Sequence, residues 1–167
     1  HKDAFAFVTA DLPLPEGGAL LFTPCPGTKD ADLASSVAQL KEAGATAIVT
    51  VMPYAEMAGA GAQELPEVCR QNGMRWFHFP IEDDAAPAED FQAAWDAGRD
   101  ELLRLLAGGA TVAVHCKGGS GRTGLMVAIV LLARGVPFAD AIAEVKRMRP
   151  KALQIPAHME YLAGRHS

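Results

Sequence analysis

The sequence predicts an α/β fold: three layers, α/β/α, around a central, mostly parallel sheet of four to five strands. Three observations carry this expectation. Short apolar runs of strand length alternate along the chain with longer segments of helical periodicity. The run Thr46 to Met52 is nearly continuous in apolar residues, as expected of a strand covered on both faces in a parallel sheet. The segment from Ala110 to Ala133 reads as strand, glycine-rich loop and helix in immediate succession.

Each element has its local signal. Ala19 to Phe22 reads as a strand, and Pro24-Cys25-Pro26-Gly27 as the turn after it. A helix is predicted from about Asp30 to Ala43, capped by Thr28 or Asp30, with Leu33, Val37 and Leu40 as its apolar stripe and Gly44 at its end. Thr46 to Met52 is the next strand. Gln63 to Asn72 is helical and stops at Gly73; Arg75 to Phe79 is a strand closed by Pro80. After the loop Ile81 to Pro87, a long helix covers about Ala88 to Ala107, with Phe91, Trp95, Leu102, Leu105 and Leu106 on one face and Gly108-Gly109 at its end. Ala110 to Val114 is a buried strand and Leu125 to Ala133 a helix. Gly135-Val136-Pro137 breaks the chain before a helix over Phe138 to Arg149, with Ile142, Val145 and Met148 facing inward and Pro150 as its stop. A last helix covers about Pro156 to Gly164.

Composition bounds what such a fold can do. The chain has 167 residues, enough for one domain with a sizeable core, and residues 1–167 are expected to form a single domain. Half is hydrophobic (50%) and 21% charged, which marks a globular chain rather than a disordered one. The net charge of -5 argues against nucleic acid or an acidic membrane as partner. No apolar run approaches the roughly 18 residues of a spanning helix, so no membrane insertion is expected. Three cysteines, Cys25, Cys69 and Cys116, make no disulfide framework. A reactive thiolate has to stay reduced, which points to the cytoplasm. Because the chain opens at His1, a trimmed or mature form is expected, and a removed signal peptide stays open as an alternative.

The chemistry concentrates in His115-Cys116-Lys117-Gly118-Gly119-Ser120-Gly121-Arg122-Thr123-Gly124, where the strand passes into the helix. Gly118, Gly119 and Gly121 let the backbone curl, since glycine tolerates positive φ. A curled loop aims its N–H groups inward as an anion nest, and the helix N-terminus behind it adds partial positive charge. Arg122 can hold two phosphate oxygens with its planar fork. Cys116 then faces the phosphorus, in a field that favours the nucleophilic thiolate.

Competing readings are weaker. Gly119, Gly121 and Gly124 fit a dinucleotide fingerprint, but no strand ending in an acid follows at ribose distance; Glu144 lies there within a helical pattern. A Walker loop needs Gly-Lys-Ser/Thr where this chain has Gly121-Arg122-Thr123. A lone cysteine is most often a buried structural residue. A second constellation, Phe79-Pro80-Ile81-Glu82-Asp83-Asp84-Ala85-Ala86-Pro87, also follows the carboxyl end of a strand. A carboxylic acid there can protonate a departing oxygen and later take a proton from water. Alone, such a run is more often a solvated acidic turn.

His115, Cys116, five residues, then Arg122 and Thr123 resemble the signature of cysteine-dependent protein tyrosine and dual-specificity phosphatases. From about Leu20 to Leu162 the chain looks most like the cyclin-dependent-kinase-associated, kinase-inhibitor-3-like branch. Cys25-Pro26-Gly27 is similar to its proline-glycine turn, Phe79 to Asp83 to its acid loop, and Ala152-Leu153-Gln154 to a later segment whose glutamine faces the pocket. Asp84 stands where a glycine is usual. The resemblance implies the protein tyrosine phosphatase-like fold and a two-step reaction. In it Cys116 is the nucleophile, and Lys117, Gly118, Gly119, Ser120, Gly121 and Arg122 hold the phosphate. Asp83 is the general acid, with Asp84 and Glu82 left open by spacing alone, and Thr123 donates to the sulfur. Gln154 helps place water, and His115 either orients the loop or is a plain buried histidine. No cofactor or metal is implied; His78, His158 and His166 are scattered without ligand spacing. The expected substrate is a phosphorylated protein or peptide, with phosphate, sulfate or vanadate as pocket ligands. The sequence carries no separate aromatic segment of the kind that deepens tyrosine-specific pockets, so phosphoserine and phosphothreonine are admitted with phosphotyrosine. Lys117 is shared with phosphoinositide phosphatases, which makes lipid or inositol phosphate the alternative substrate, and a non-catalytic phosphate-binding module is the alternative of another kind.

Overall fold

The computed structural model describes residues 10–14, 17–28, 32–118 and 121–166. The elements run β1 (Ala10–Pro13), β2 (Ala19–Thr23), α1 (Leu33–Glu42), β3 (Ala45–Thr50), α2 (Tyr54–Gly59), α3 (Leu65–Gln71), β4 (Arg75–His78), α4 (Glu89–Ala107), β5 (Thr111–His115), α5 (Gly121–Ala133), α6 (Phe138–Met148) and α7 (Pro156–His166). One five-stranded sheet has the order β1-β2-β5-β3-β4. β2, β5, β3 and β4 are parallel, and β1 pairs antiparallel with β2 at the edge.

The last strand to join, β5, is inserted between β2 and β3. The crossover from β2 to β3 and the return from β4 to β5 run in opposite directions across the sheet. The carboxyl end of β5 therefore lies where crossovers diverge, the usual ligand crevice of such sheets. Cys116 is the residue immediately after β5.

Two layers cover the sheet. On one side α1 packs on β3 and α3, and α3 packs on β4. On the other, α5 lies on β2 and β5, with α6 and α7 against it. α5 is buried from Arg122 through Leu131, so it is the central core helix and carries no polar face. Gly124 permits this: a Cβ there would stand 2.6 Å from Ala152 Cβ and 3.1 Å from Val145 Cγ1. Along β4 and its extension, Phe77 and Phe79 point to the α4 side, where Phe79 packs edge-on against Trp95 at 5.3 Å between ring centroids. Trp76 and His78 point to the opposite side, toward Tyr54 of α2.

The structure revises several boundaries. α1 begins at Leu33 and is capped by Asp32, whose Oδ1 accepts the Ser35 N–H at 2.7 Å. Thr28 instead donates its hydroxyl to the Cys25 carbonyl at 2.6 Å, and Asp30, the other expected cap, falls outside the described residues. α5 starts four residues before Leu125, so Arg122 and Thr123 belong to its first turn. β1 and α2 are elements that periodicity did not indicate. β1 is only Ala-Asp-Leu-Pro, and its proline is tolerated because an edge strand has an unpaired side. α2 has six residues and one buried side chain, Met57, too few to show a repeat.

Candidate functional site

The site is assembled from the carboxyl end of β5, the first turn of α5, the start of α2 and the loop after β4. Cys116 is 3% exposed, and the Thr123 hydroxyl donates to its Sγ at 3.2 Å. Helix geometry brings this about: Thr123 stands on the turn of α5 that rises behind the loop, so its side chain points back to the strand end.

His115 is fully buried beneath this point. Burial, opposed in part by its hydrogen bond to Cys116 and reinforced by Arg122, pulls its pKa down to about 4. The ring is therefore neutral near neutral pH. Its Nδ1 lies 3.0 Å from the Cys116 carbonyl oxygen, which can only accept, so Nδ1 carries the proton. Nε2, 2.7 Å from Thr50 Oγ1, must then accept the threonine hydroxyl. Thr50 Oγ1 in turn accepts the indole N–H of Trp76 at 2.8 Å. A chain of single-direction hydrogen bonds thus runs from the sheet edge to the carbonyl of Cys116. On the other side, the Cys25 N–H donates to the Lys117 carbonyl at 3.2 Å and ties the loop to the end of β2. The Cys25 thiol is buried and pushed up to about 12, first by desolvation and then by the charges of Cys116 and Glu56.

Arg122 is 3% exposed, and its five N–H groups can be accounted for one by one. Nη1 donates to Glu56 Oε1 at 2.8 Å and to the Ile81 carbonyl at 3.0 Å. Nη2 donates to Glu56 Oε2 at 2.6 Å. Glu56 thus takes the end of the guanidinium and leaves its side edge, Nε–H with the second Nη2–H, as a parallel pair of donors. That pair is the fork a tetrahedral oxyanion accepts. Burial works against the charge on Arg122, but the Glu56 hydrogen bonds and the nearby Cys116 and Asp83 hold its pKa above the ordinary arginine value. Glu56 is held below the usual carboxylate range, chiefly by its hydrogen bonds from Arg122.

Asp83 is 72% exposed on its side chain, and its Oδ1 lies 3.6 Å from Arg122 Nε, on the unused edge of the fork. Asp84 beside it has φ 60°, the left-handed conformation in which glycine is favoured and aspartate is tolerated. This gives a backbone reason why the resembling loops carry glycine there. The loop is braced from below by His158 of α7, fully buried, whose Nε2 donates to the Ala85 carbonyl at 2.9 Å. Burial lowers the His158 pKa, and its Nδ1 is buried without a hydrogen bond.

Cys116, Arg122, Thr123, His115 and Asp83 are therefore brought together. Lys117 and Gly118 are exposed at the mouth of the loop. Gly119 and Ser120 lie outside the described residues. The positive φ expected of the loop glycines is not what Gly118 and Gly121 adopt: neither is left-handed, and a Cβ on either would meet no atom within 4 Å. Gln154 is exposed and makes no hydrogen bond to Cys116, Arg122 or Asp83; it follows Leu153, which is buried with φ 62°. Glu56 and His158 are the site residues that sequence reasoning missed. Among the described residues, no group of His, Cys, Asp or Glu side chains is arranged to hold a metal ion.

Comparison with known proteins agrees with this arrangement. The model of the Tc-R-P family, described as "Polymorphic toxin system, DSP-PTPase phosphatase", matches residues 26–136. The human protein tyrosine phosphatase type IVA 3 is 30% identical over 124 residues, which cover 74% of this chain and 66% of that protein. The chain thus spans about two thirds of the length of that relative. Among solved structures, kinase associated phosphatase superposes with a TM-score of 0.79 at 24% identity, covering 92% of this chain and 90% of that one. A structure of PTPMT1 in complex with PI(5)P superposes with a TM-score of 0.69 at 18% identity, covering 93% and 94%. These last two are likenesses of fold.

Proposed function

Because the chain belongs to the Tc-R-P family of dual-specificity-type, cysteine-dependent phosphatases, we propose that it hydrolyses phosphate monoesters on proteins through a phosphocysteine intermediate. Residues 1–167 act as one phosphatase domain. The observation that carries the reading is the state of Arg122 beside Cys116: buried, tethered at its end by Glu56, with a side edge that donates no hydrogen bond among the described residues and has Asp83 3.6 Å from its Nε.

In the first step the Cys116 thiolate attacks phosphorus, an S–P bond forms and the P–O bond to the substrate breaks. Asp83, as the acid, gives its proton to the departing oxygen. Arg122 and the loop N–H groups from Lys117 to Arg122 receive the equatorial oxygens as charge builds on them. In the second step Asp83, now a carboxylate, takes a proton from water as the water oxygen attacks phosphorus. The S–P bond breaks, inorganic phosphate leaves, and the Thr123 hydroxyl, 3.2 Å from Sγ, stabilises the returning thiolate. Gln154 assists in placing that water. No cofactor enters the scheme.

Phosphotyrosine is the favoured substrate, with phosphoserine and phosphothreonine admitted. Exposed Lys117 gives phosphoinositides a second claim, and the PTPMT1 structure with PI(5)P is a fold-level precedent for it. The family's description names a polymorphic toxin system. On this reading the phosphatase is the effector activity of such a system, working in a reducing compartment where Cys25, Cys69 and Cys116 stay as thiols, none being in a disulfide. No described helix is long and apolar enough to cross a membrane.

The test is Cys116→Ser assayed on phosphopeptides and phosphoinositides, with vanadate binding measured in parallel. Turnover should vanish on every substrate while vanadate still binds through Arg122. Residual hydrolysis by the pure variant would overturn the mechanism, and wild-type turnover of lipid alone would move the substrate class.

A further inference from the structure

Among the described residues, the large hydrophobic side chain left exposed is Tyr54, at 66%. It is not a loose surface aromatic. Its ring stands edge-on to His78 with centroids 4.3 Å apart, and His78 stacks on Trp76 at 5.1 Å and 15°. Trp76 is anchored in turn by its hydrogen bond to Thr50. The ring therefore packs against an anchored aromatic pair.

Tyr54 forms one wall of a cavity of about 290 Å³ at the open edge of the sheet, lined also by Pro53, His78, Pro80, Asp90 and Ala94. The cavity straddles the two layers: Tyr54 and His78 come from the α2 side, Asp90 and Ala94 from α4. Each of its polar side chains, Tyr54, His78 and Asp90, can accept a hydrogen bond. Neither lysine nor arginine lines it. His78 donates Nε2–H to the Met52 carbonyl at 2.6 Å, so its Nδ1 presents a lone pair. Burial lowers the His78 pKa, which keeps that lone pair available near neutral pH. One carboxylate oxygen of Asp90 accepts the Phe91 N–H at 2.8 Å, and among the described residues the second accepts no hydrogen bond.

Two of the three chain segments that line the cavity also hold the phosphate clamp. Glu56, which grips Arg122, is two residues after Tyr54; Ile81, whose carbonyl Arg122 also meets, directly follows Pro80. We propose that this cavity is a substrate subsite for a cationic side chain, arginine or lysine, flanking the phosphorylated residue of a peptide. A guanidinium or ammonium group is donor-only, which suits a lining of acceptors, and it is attracted to the face of Tyr54. An extended peptide advances about 3.3 Å per residue, so moving one cationic residue stepwise along the flank finds the register at which it reaches the cavity. The proposal rests on the phosphopeptide reading above and narrows it to basic-flanked sites.

The experiment uses phosphotyrosine peptides identical but for one arginine moved along both flanks, against an all-alanine flank, together with p-nitrophenyl phosphate. Wild type, Tyr54→Ala, Asp90→Asn and Asp90→Lys are compared. Arginine at one register should raise kcat/KM about five- to tenfold, mainly through KM. The gain should shrink in Tyr54→Ala and Asp90→Asn. Asp90→Lys should prefer glutamate at that register, and p-nitrophenyl phosphate should be turned over equally by all four. Peptides hydrolysed without regard to flank, or an arginine preference that survives in all the variants, would overturn the subsite and leave the phosphopeptide reading standing. Wild-type hydrolysis of p-nitrophenyl phosphate or lipid but of no peptide would overturn both.

Discussion

Replacing Glu56 by glutamine asks directly whether the orientation of Arg122 matters. The substitution keeps the size and one carbonyl acceptor but removes the charge and one of two hydrogen bonds, at 2.8 and 2.6 Å, to a side chain that is 3% exposed. Removing one partner of a fully buried ion pair costs about 3–5 kcal/mol. Here Glu56 is 25% exposed and Arg122 keeps the Ile81 carbonyl, so the loss should be smaller, about 2 kcal/mol. For a chain of this size that is a fall in Tm of roughly 4–8 °C, read by calorimetry. The effect on catalysis should be larger than the effect on folding. With its end held by one hydrogen bond fewer and no opposite charge, the guanidinium can rotate, and the Nε–H/Nη2–H edge is no longer fixed toward the loop. Misplacement by about 1 Å costs on the order of 10²-fold, so kcat/KM on p-nitrophenyl phosphate should drop by about that factor, with a parallel loss of vanadate affinity. Glu56→Asp, which keeps the charge on a shorter arm, should fall between. A lowered Tm with unchanged kcat/KM and vanadate affinity would refute the orientation argument and leave Glu56 as a packing residue only.

Two further outcomes follow from the loop and from the buried histidine. Asp83→Asn should lower kcat by about 10²-fold on phenyl phosphate, whose leaving group needs a proton, and far less on a substrate with an acidic phenol. Asp84→Asn should change neither, since asparagine also tolerates the φ of 60° at that position; the reverse pattern would reassign the acid to Asp84. Acid should destabilise the fold in a defined window: His115 is drawn from 6.5 to about 4 in the folded chain, so the unfolded chain binds its proton first as pH falls. The stability His115 contributes is complete above about pH 6.5 and lost progressively toward pH 4, at most about 3 kcal/mol, whereas the share from Glu56 goes only below the ordinary carboxylate range. A Tm that stays flat from neutral pH to pH 5 would contradict the burial argument for His115.

The parallel sheet was legible because its strands are short apolar runs and its helices repeat their apolar residues, so neither depends on distant partners. Val37 and Leu40 in α1, and Phe91, Trp95, Leu102 and Leu106 in α4, are buried where periodicity puts them. The cysteine loop was legible for a related reason: a strand end, a turn and a helix start are consecutive in sequence. Glu56 and His158 were not, because their meaning lies in contacts 66 and 73 residues away, with Arg122 and with Ala85. α2, which carries Glu56, is too short to announce itself, and His158 sits in a helix with no ligand pattern around it. The positive φ expected of the loop glycines could not be read from residue type alone: glycine permits that conformation without requiring it, and Gly118 and Gly121 do not adopt it.

What the structure adds is a division of labour within one side chain. A free arginine offers an oxyanion either its end or its side edge. In this fold the end is taken from two directions, by Glu56 of α2 and by the Ile81 carbonyl at the start of the acid loop. The edge that remains is the one Asp83 flanks, at 3.6 Å from Nε. The clamp and the acid are thus set by one segment: Ile81 orients the arginine, and two residues later Asp83 stands beside the donors that orientation leaves. His158, holding the Ala85 carbonyl from α7, fixes the far end of the same segment. A change that shifts residues 81–85 as a unit should therefore disturb phosphate binding and leaving-group protonation together. His158→Ala is such a change, whereas Asp83→Asn touches the second alone.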